Sequence, residues 1–236
     1  VRAAQVAVER GDGPGWMRWA TCGLCEQDYH GVVACALGWA CWKTYVGRPE
    51  ADEVRGFAMS VLGSGLSAAG HHADALSVHE ATLAMERRLG ASETTILDVQ
   101  SNLSNTYSNL GRLEQALQMD RDIYSGRVKL NGEEHRKTLI AASGYATSLQ
   151  ELKRFEEAKS LLRKIMPVAR RVLGEDYELT LRIRTDYATA LCDDDGATLN
   201  DLREAVTTFE DAERTARRVL GGAHPLTQSL EHELRN

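Results

Sequence analysis

The strongest constraint on the fold of this chain is a pattern that repeats. The segments RRLGASETTIL (87–97), KLNGEEHRKTL (129–139), RVLGEDYELTL (171–181) and RVLGGAHPLTQ (218–228) each set a glycine near a helix end and open another helix shortly afterwards. Gly90, Gly132, Gly174 and Gly221 lie 42, 42 and 47 residues apart. A second mark travels with them in HHADALSV, GRLEQALQM, KRFEEAKSL and DLREAVTTF, which hold Ala75, Ala116, Ala158 and Ala205 at spacings of 41, 42 and 47. The surplus in the last interval falls in CDDDGATLND (192–201), which reads as a lengthened loop. Each unit is two amphipathic helices joined by a short turn. Fixed self-similarity at this period predicts an all-α chain, a solenoid of stacked antiparallel helix pairs.

The pattern resembles tetratricopeptide repeats, specifically the longer kinesin-light-chain-like kind with its LG…H…TL opening, over roughly residues 52–236. The ordinary repeat has about 34 residues, so these units carry about one extra turn per helix. The resemblance implies a right-handed superhelix of about four repeats plus a C-terminal capping helix over 51–236, with a capping helix over 31–50 ahead of it. The small residue of the first helix then falls on Gly63, Ser104, Ala146 and Ala188, preceded by Leu62, Leu103, Tyr145 and Tyr187. Leu66, Tyr107, Leu149 and Leu191 form the next core position. Small against large at helical spacing lets neighbouring helices approach to about 8–10 Å. Pro167, near the end of a second helix, is expected to kink or shorten it.

Within one first helix stands SNLSNTYSNLG (101–111), rich in residues that compete for backbone hydrogen bonds and form helices poorly. In repeats of this kind the first helices line the concave surface. The positions of that face, four residues apart, are Ser60 and Ser64, Ser101 and Asn105, Ser143 and Thr147, and Thr185 and Thr189. One turn further lie Ser67 and Ala68, Ser108 and Asn109, Gln150 and Glu151, and Cys192 and Asp193, while Arg182 and Arg184 add positive charge near one end. A stripe of short hydrogen-bonding groups suits an extended peptide or a helix, whose polar groups need partners once water leaves. The competing reading is a solvated helix surface with no ligand.

The N-terminal cysteines admit several readings. CGLCEQDYHGVVAC (22–35) fits the C-x2-C-x4-H-x4-C spacing of a zinc knuckle. Against it, Tyr29 stands where such knuckles place glycine, and Cys35 falls inside a helix expected from about Val32. CGLCEQDY, with Trp16 and Trp19 ahead of it, resembles the closing cysteine pair of a RING-CH finger, a zinc-binding module that recruits ubiquitin-conjugating enzymes. That resemblance covers residues 1–30 and reaches only Cys22 and Cys25, so zinc would require ligands that precede this chain. The third reading is a pair of reduced loop thiols.

Other features are expected to be structural. GSGLSA (63–68) matches a dinucleotide fingerprint but has no strand before it. His71, His72 and His79 read as polar surface, Cys35, Cys41, Trp39 and Trp42 as packing of the capping helix, and DDD (193–195) as a solvated loop tip. A net charge of −6, with 28 Lys and Arg against 34 Asp and Glu, argues against nucleic acid as a partner. The longest apolar run, 31–42, is too short to span a bilayer. Five cysteines without a signal peptide lead one to expect a reducing, intracellular, cytoplasmic location, and a start at Val1 reads as a piece of a longer protein.

No nucleophile, base and orienting group recur together, so the expectation is a non-enzyme without cofactor. Three functions remain: a protein-interaction scaffold holding a peptide or partner subunit in the groove, the substrate-recognising arm of a RING-CH ubiquitin ligase, or an architectural subunit of a large assembly.

Overall fold

The computed structural model describes residues 18–22 and 28–235, and among them it contains ten helices and no strand beyond an isolated bridge between Thr21 and Asp28. No described helix is long and apolar enough to cross a membrane. The chain divides into two compact units, 1–112 and 113–236.

The N-terminal unit holds α1 (Gly31–Tyr45), α2 (Glu53–Ala68), α3 (His72–Arg88) and α4 (Glu93–Asn109). Asp52 starts α2 by accepting from the Val54 amide at 2.9 Å, and Ser92 starts α4 from the Thr95 amide at 3.2 Å. Cys41, Tyr45, Ala58 and Val61 pack around Trp19, while Leu62, Leu66 and Ala75 form a second core under α3. Helices α1 and α2 touch through glycine on both sides. A Cβ on Gly65 would stand 2.6 Å from the Ala34 carbonyl oxygen, and one on Gly38 would stand 3.0 Å from Leu62 Cα. GSGLSA is thus a helix-contact sequence. Trp39 does not pack as expected of the capping helix; it is 45% exposed beside exposed Val32 and Val33.

The C-terminal unit holds α5 (Leu113–Asn131), α6 (Arg136–Glu151), α7 (Phe155–Leu173), α8 (Glu178–Cys192), α9 (Leu199–Val219) and α10 (Pro225–Glu233). One continuous core runs through it, built on Leu139, Leu149, Leu162, Leu181, Ile183, Leu191 and Phe209 among small alanines. The repeat signature has a local mechanism here. His135 and His224 cap the helices that follow them by accepting from the amides of Lys137 and Leu226 through Nδ1. Thr138 then donates to the Gly132 carbonyl at 2.7 Å, closing the turn behind the cap. All four repeat glycines have positive φ, from 71° to 97°, the conformation that ends a helix and that a Cβ resists.

The turn inside each repeat follows the same rule until it meets Lys153. Gly70 and Gly111 fill this position with φ of 82° and 72°, whereas Lys153 adopts φ 58° with a full side chain. Lys153→Gly is therefore expected to stabilise the unit by about 0.5–1 kcal/mol, a rise of a few degrees in melting temperature measured by circular dichroism. An unchanged or lower midpoint would mean that the flexibility gained by the unfolded chain outweighs the relief.

Pro167 neither ends nor shortens α7, which runs on to Leu173. It lies on the exposed side of the helix, while Ala158, Leu162, Ile165 and Ala169 are anchored in the core on either side of it. Carbonyls on a solvent-facing side can turn to water, so the missing amide costs little there.

Candidate functional site: a polar cleft on the first-helix face

Helix α4 is a poor helix by composition and a good wall by chemistry. At 100° per residue, Asn102, Asn105, Thr106 and Asn109 fall along one side of it. They meet Ser64, Ser67 and Ala68 of α2 across a cleft of about 290 Å³. Asn109 Nδ2 donates to Ser67 Oγ at 3.2 Å and bridges the two helices. Ser64, Asn105 and Asn109 are exposed, and Ser60, Ser101 and Ser108 are half-buried beside them. Ser101 turns its hydroxyl to the Leu97 carbonyl at 2.9 Å, as does Thr106 to that of Asn102. The asparagine-rich stretch therefore trades helix propensity for side-chain amides along a cleft.

His79 of α3 forms the base of this cleft and corrects an expectation. It is 1% exposed rather than a surface residue, and its Nδ1 is buried without a hydrogen-bond partner. Burial pushes its pKa down to about 4, so the imidazole is neutral at physiological pH. Space for it comes from Gly63, where a Cβ would stand 2.4 Å from His79 Cε1. The other repeats carry Ser104, Ala146 and Ala188 at that position. A glycine there was the sequence signal for a large residue opposite. Asn102 was missed because a pattern of two positions four residues apart assigns it to the neighbouring side.

The C-terminal unit treats the corresponding positions differently. Ser143 is buried and donates to Asp186 Oδ2 at 3.1 Å, and Gln150 Nε2 donates to the Asp186 backbone carbonyl at 2.7 Å. Thr185 is buried with its hydroxyl on the Leu181 carbonyl, and Thr147 bonds back to Ser143. Helices α6 and α8 are thus joined by a polar seam rather than parted by an open cleft. Thr189 is half-buried, and Arg182 is exposed and held by Glu178 at 3.0 Å. Arg184, expected to add charge to this face, is buried on the other side of α8.

Of the two candidate zinc ligands, Cys22 is half-buried and Cys25 lies outside the described residues. In the long loop before α9, Asp194 is not a solvated tip. It accepts from Lys159 Nζ at 2.6 Å, the lysine side chain being 5% exposed.

Comparison with known proteins bears on the fold. The family model for the tetratricopeptide repeat matches residues 95–169 and 137–196. Two crystal structures of a Podosopora anserina kinesin-light-chain-type protein with nearly identical repeats superpose with TM-scores of 0.61 and 0.58 at 16% identity. They cover 92% and 91% of this chain and 92% of each of those chains. BtubC (BKLC) from P. vanneervenii gives a TM-score of 0.57 at 14% identity, covering 86% of this chain and 88% of that one. No curated protein matches the sequence. At such identities the likeness is one of fold. Residues 95–196 are therefore similar to tetratricopeptide repeats, and the all-α fold is similar to that of the kinesin-light-chain-type repeat structures.

Proposed function

We propose that this chain is a non-catalytic protein-interaction scaffold that holds an extended peptide or helix of a partner against its first-helix face. The observation that supports the reading is the cleft between α2 and α4. Its walls are short amides and hydroxyls, its base is a neutral imidazole, and its volume of about 290 Å³ leaves room for a backbone segment. A peptide backbone carries one donor and one acceptor per residue, and each must be met when water is displaced. Asparagine offers both from one side chain.

The test fills the cleft. Asn105→Trp and Asn109→Trp lie at exposed positions and should leave the melting temperature within about 1 °C, because surface substitutions away from packing features cost little. Affinity capture with the wild-type chain identifies partners; for those held in the cleft, both variants should weaken binding at least about tenfold by calorimetry. Full retention by both variants would move the interface elsewhere and favour the architectural role.

A further inference from the structure

Arg184 is poorly matched to its surroundings. It is 6% exposed, and its Nε is buried without a hydrogen-bond partner. Its nearest carboxylate, Glu175, stands 3.8 Å from a terminal nitrogen and is taken by Arg170 at 3.0 Å. Burial, and then the Arg170 charge, push its pKa down, and the charges of Glu175 and Asp211 pull it back only in part. A buried guanidinium is expensive unless its donors are met.

The cavity that Arg184 borders measures about 310 Å³ and lies between the second helices α7 and α9, with α8 beneath. Arg163 and Arg170 flank it from α7, and Thr207 and Thr208 from α9. Arg163 is fixed in place, its Nε donating to the Tyr187 hydroxyl at 3.0 Å, which in turn donates to Glu204 at 2.9 Å. At 100° per residue, Arg184 and Tyr187 fall on the opposite side of α8 from Arg182, Thr185, Asp186 and Thr189. The cavity is therefore separate from the first-helix face.

Three guanidiniums and the Thr208 hydroxyl line it, Thr207 being turned to the Arg203 carbonyl at 2.9 Å, and this selects an anion. Glu204 and Asp211 also line it, and their charges disfavour a dianion such as phosphate. A planar monoanion that takes paired N–H donors fits this balance. We propose that this cavity is a carboxylate-binding site, with Arg184 as its buried donor and Arg163 and Arg170 at its rim. The carboxylate belongs either to a free small acid or to an acidic side chain of a peptide.

Titration of the full ¹⁵N-labelled chain, followed at the Arg184 Nε–Hε resonance, tests this. Acetate represents the small acid, and acetyl-Gly-Glu-Gly-amide represents the peptide; sodium chloride at matched ionic strength is the control. The expected result is a saturable shift with at least one carboxylate probe and none with chloride. Which probe binds more tightly identifies the source. Arg184→Met should lose at least about tenfold in affinity by calorimetry while melting no lower than wild type, since it removes a buried charge and keeps the side-chain volume. The proposal is overturned if neither probe shifts the resonance, if inorganic phosphate binds as well as acetate, or if the methionine variant binds undiminished.

Discussion

A Gly65→Ala chain is expected to lose about 2 kcal/mol of stability in its N-terminal unit, against the direction that helix propensity alone predicts. Alanine is favoured over glycine inside a helix by about 1 kcal/mol, so a mid-helix exchange would ordinarily help. At Gly65, however, the added Cβ meets the Ala34 carbonyl oxygen at 2.6 Å, the Ala34 carbon at 3.0 Å and Cys35 Cα at 3.1 Å. All three are backbone atoms and cannot rotate away. Relief requires α1 to slide off α2, opening the core around Trp19, Cys41 and Ala58. Gly144 in α6 is the internal control, because a Cβ there meets nothing within 4 Å. Gly144→Ala should gain about 0.5–1 kcal/mol by the propensity difference. Urea unfolding by circular dichroism, with tryptophan fluorescence alongside, separates the two effects, as all tryptophans lie in the N-terminal unit. Two substitutions of the same sign would show that α1 adjusts without loss, and that the glycine contact is not what sets its position.

Much of this architecture was legible because it is written in repeated small residues. Ala75, Ala116, Ala158 and Ala205 are all 0% exposed, and Ser104, Ala146 and Ala188 are buried as the packing argument requires. Small residues at fixed intervals report helix contacts directly, since no other position penalises size so consistently. The face of the first helices was legible in outline for a related reason: short polar residues there have no packing task. Which of them stay accessible was not legible. Ser143 and Thr185 hold the position of half-buried Ser60 and Ser101 yet are buried, the first with its hydroxyl on Asp186 and the second with its hydroxyl on the Leu181 carbonyl. Arg184 and His79 were misplaced by the same rule, that ionisable residues belong in water. That rule fails where a neighbouring helix supplies a void, and the void arises from tertiary contacts that no single segment encodes. The shortening expected at Pro167 does not occur, because the cost of the missing hydrogen bond depends on which side of the helix loses it.

Asp186→Asn is expected to stabilise the C-terminal unit by about 2 kcal/mol at pH 7 and by almost nothing at pH 4. Burial pushes the Asp186 pKa up to about 6, while the Ser143 hydroxyl and the Arg182 charge pull it weakly the other way. Unfolded, the group returns to its ordinary value near 3.8. Between these values the native chain binds a proton that the unfolded chain does not, so stability falls as pH rises from about 4 to about 6 and is level above that. The full shift corresponds to about 3 kcal/mol, reduced here because part of the residue still reaches solvent. Asparagine keeps the oxygen that accepts from Ser143 at 3.1 Å, and the Gln150 bond goes to the backbone carbonyl and is untouched. Only the charge is removed. Urea unfolding of both chains at pH 7.5 and pH 4.0 decides the matter. A gain that persists at pH 4 would trace to packing rather than to the carboxylate. A loss at pH 7 would mean that Arg182 supports the charge more strongly than its 3.0 Å bond to Glu178 allows.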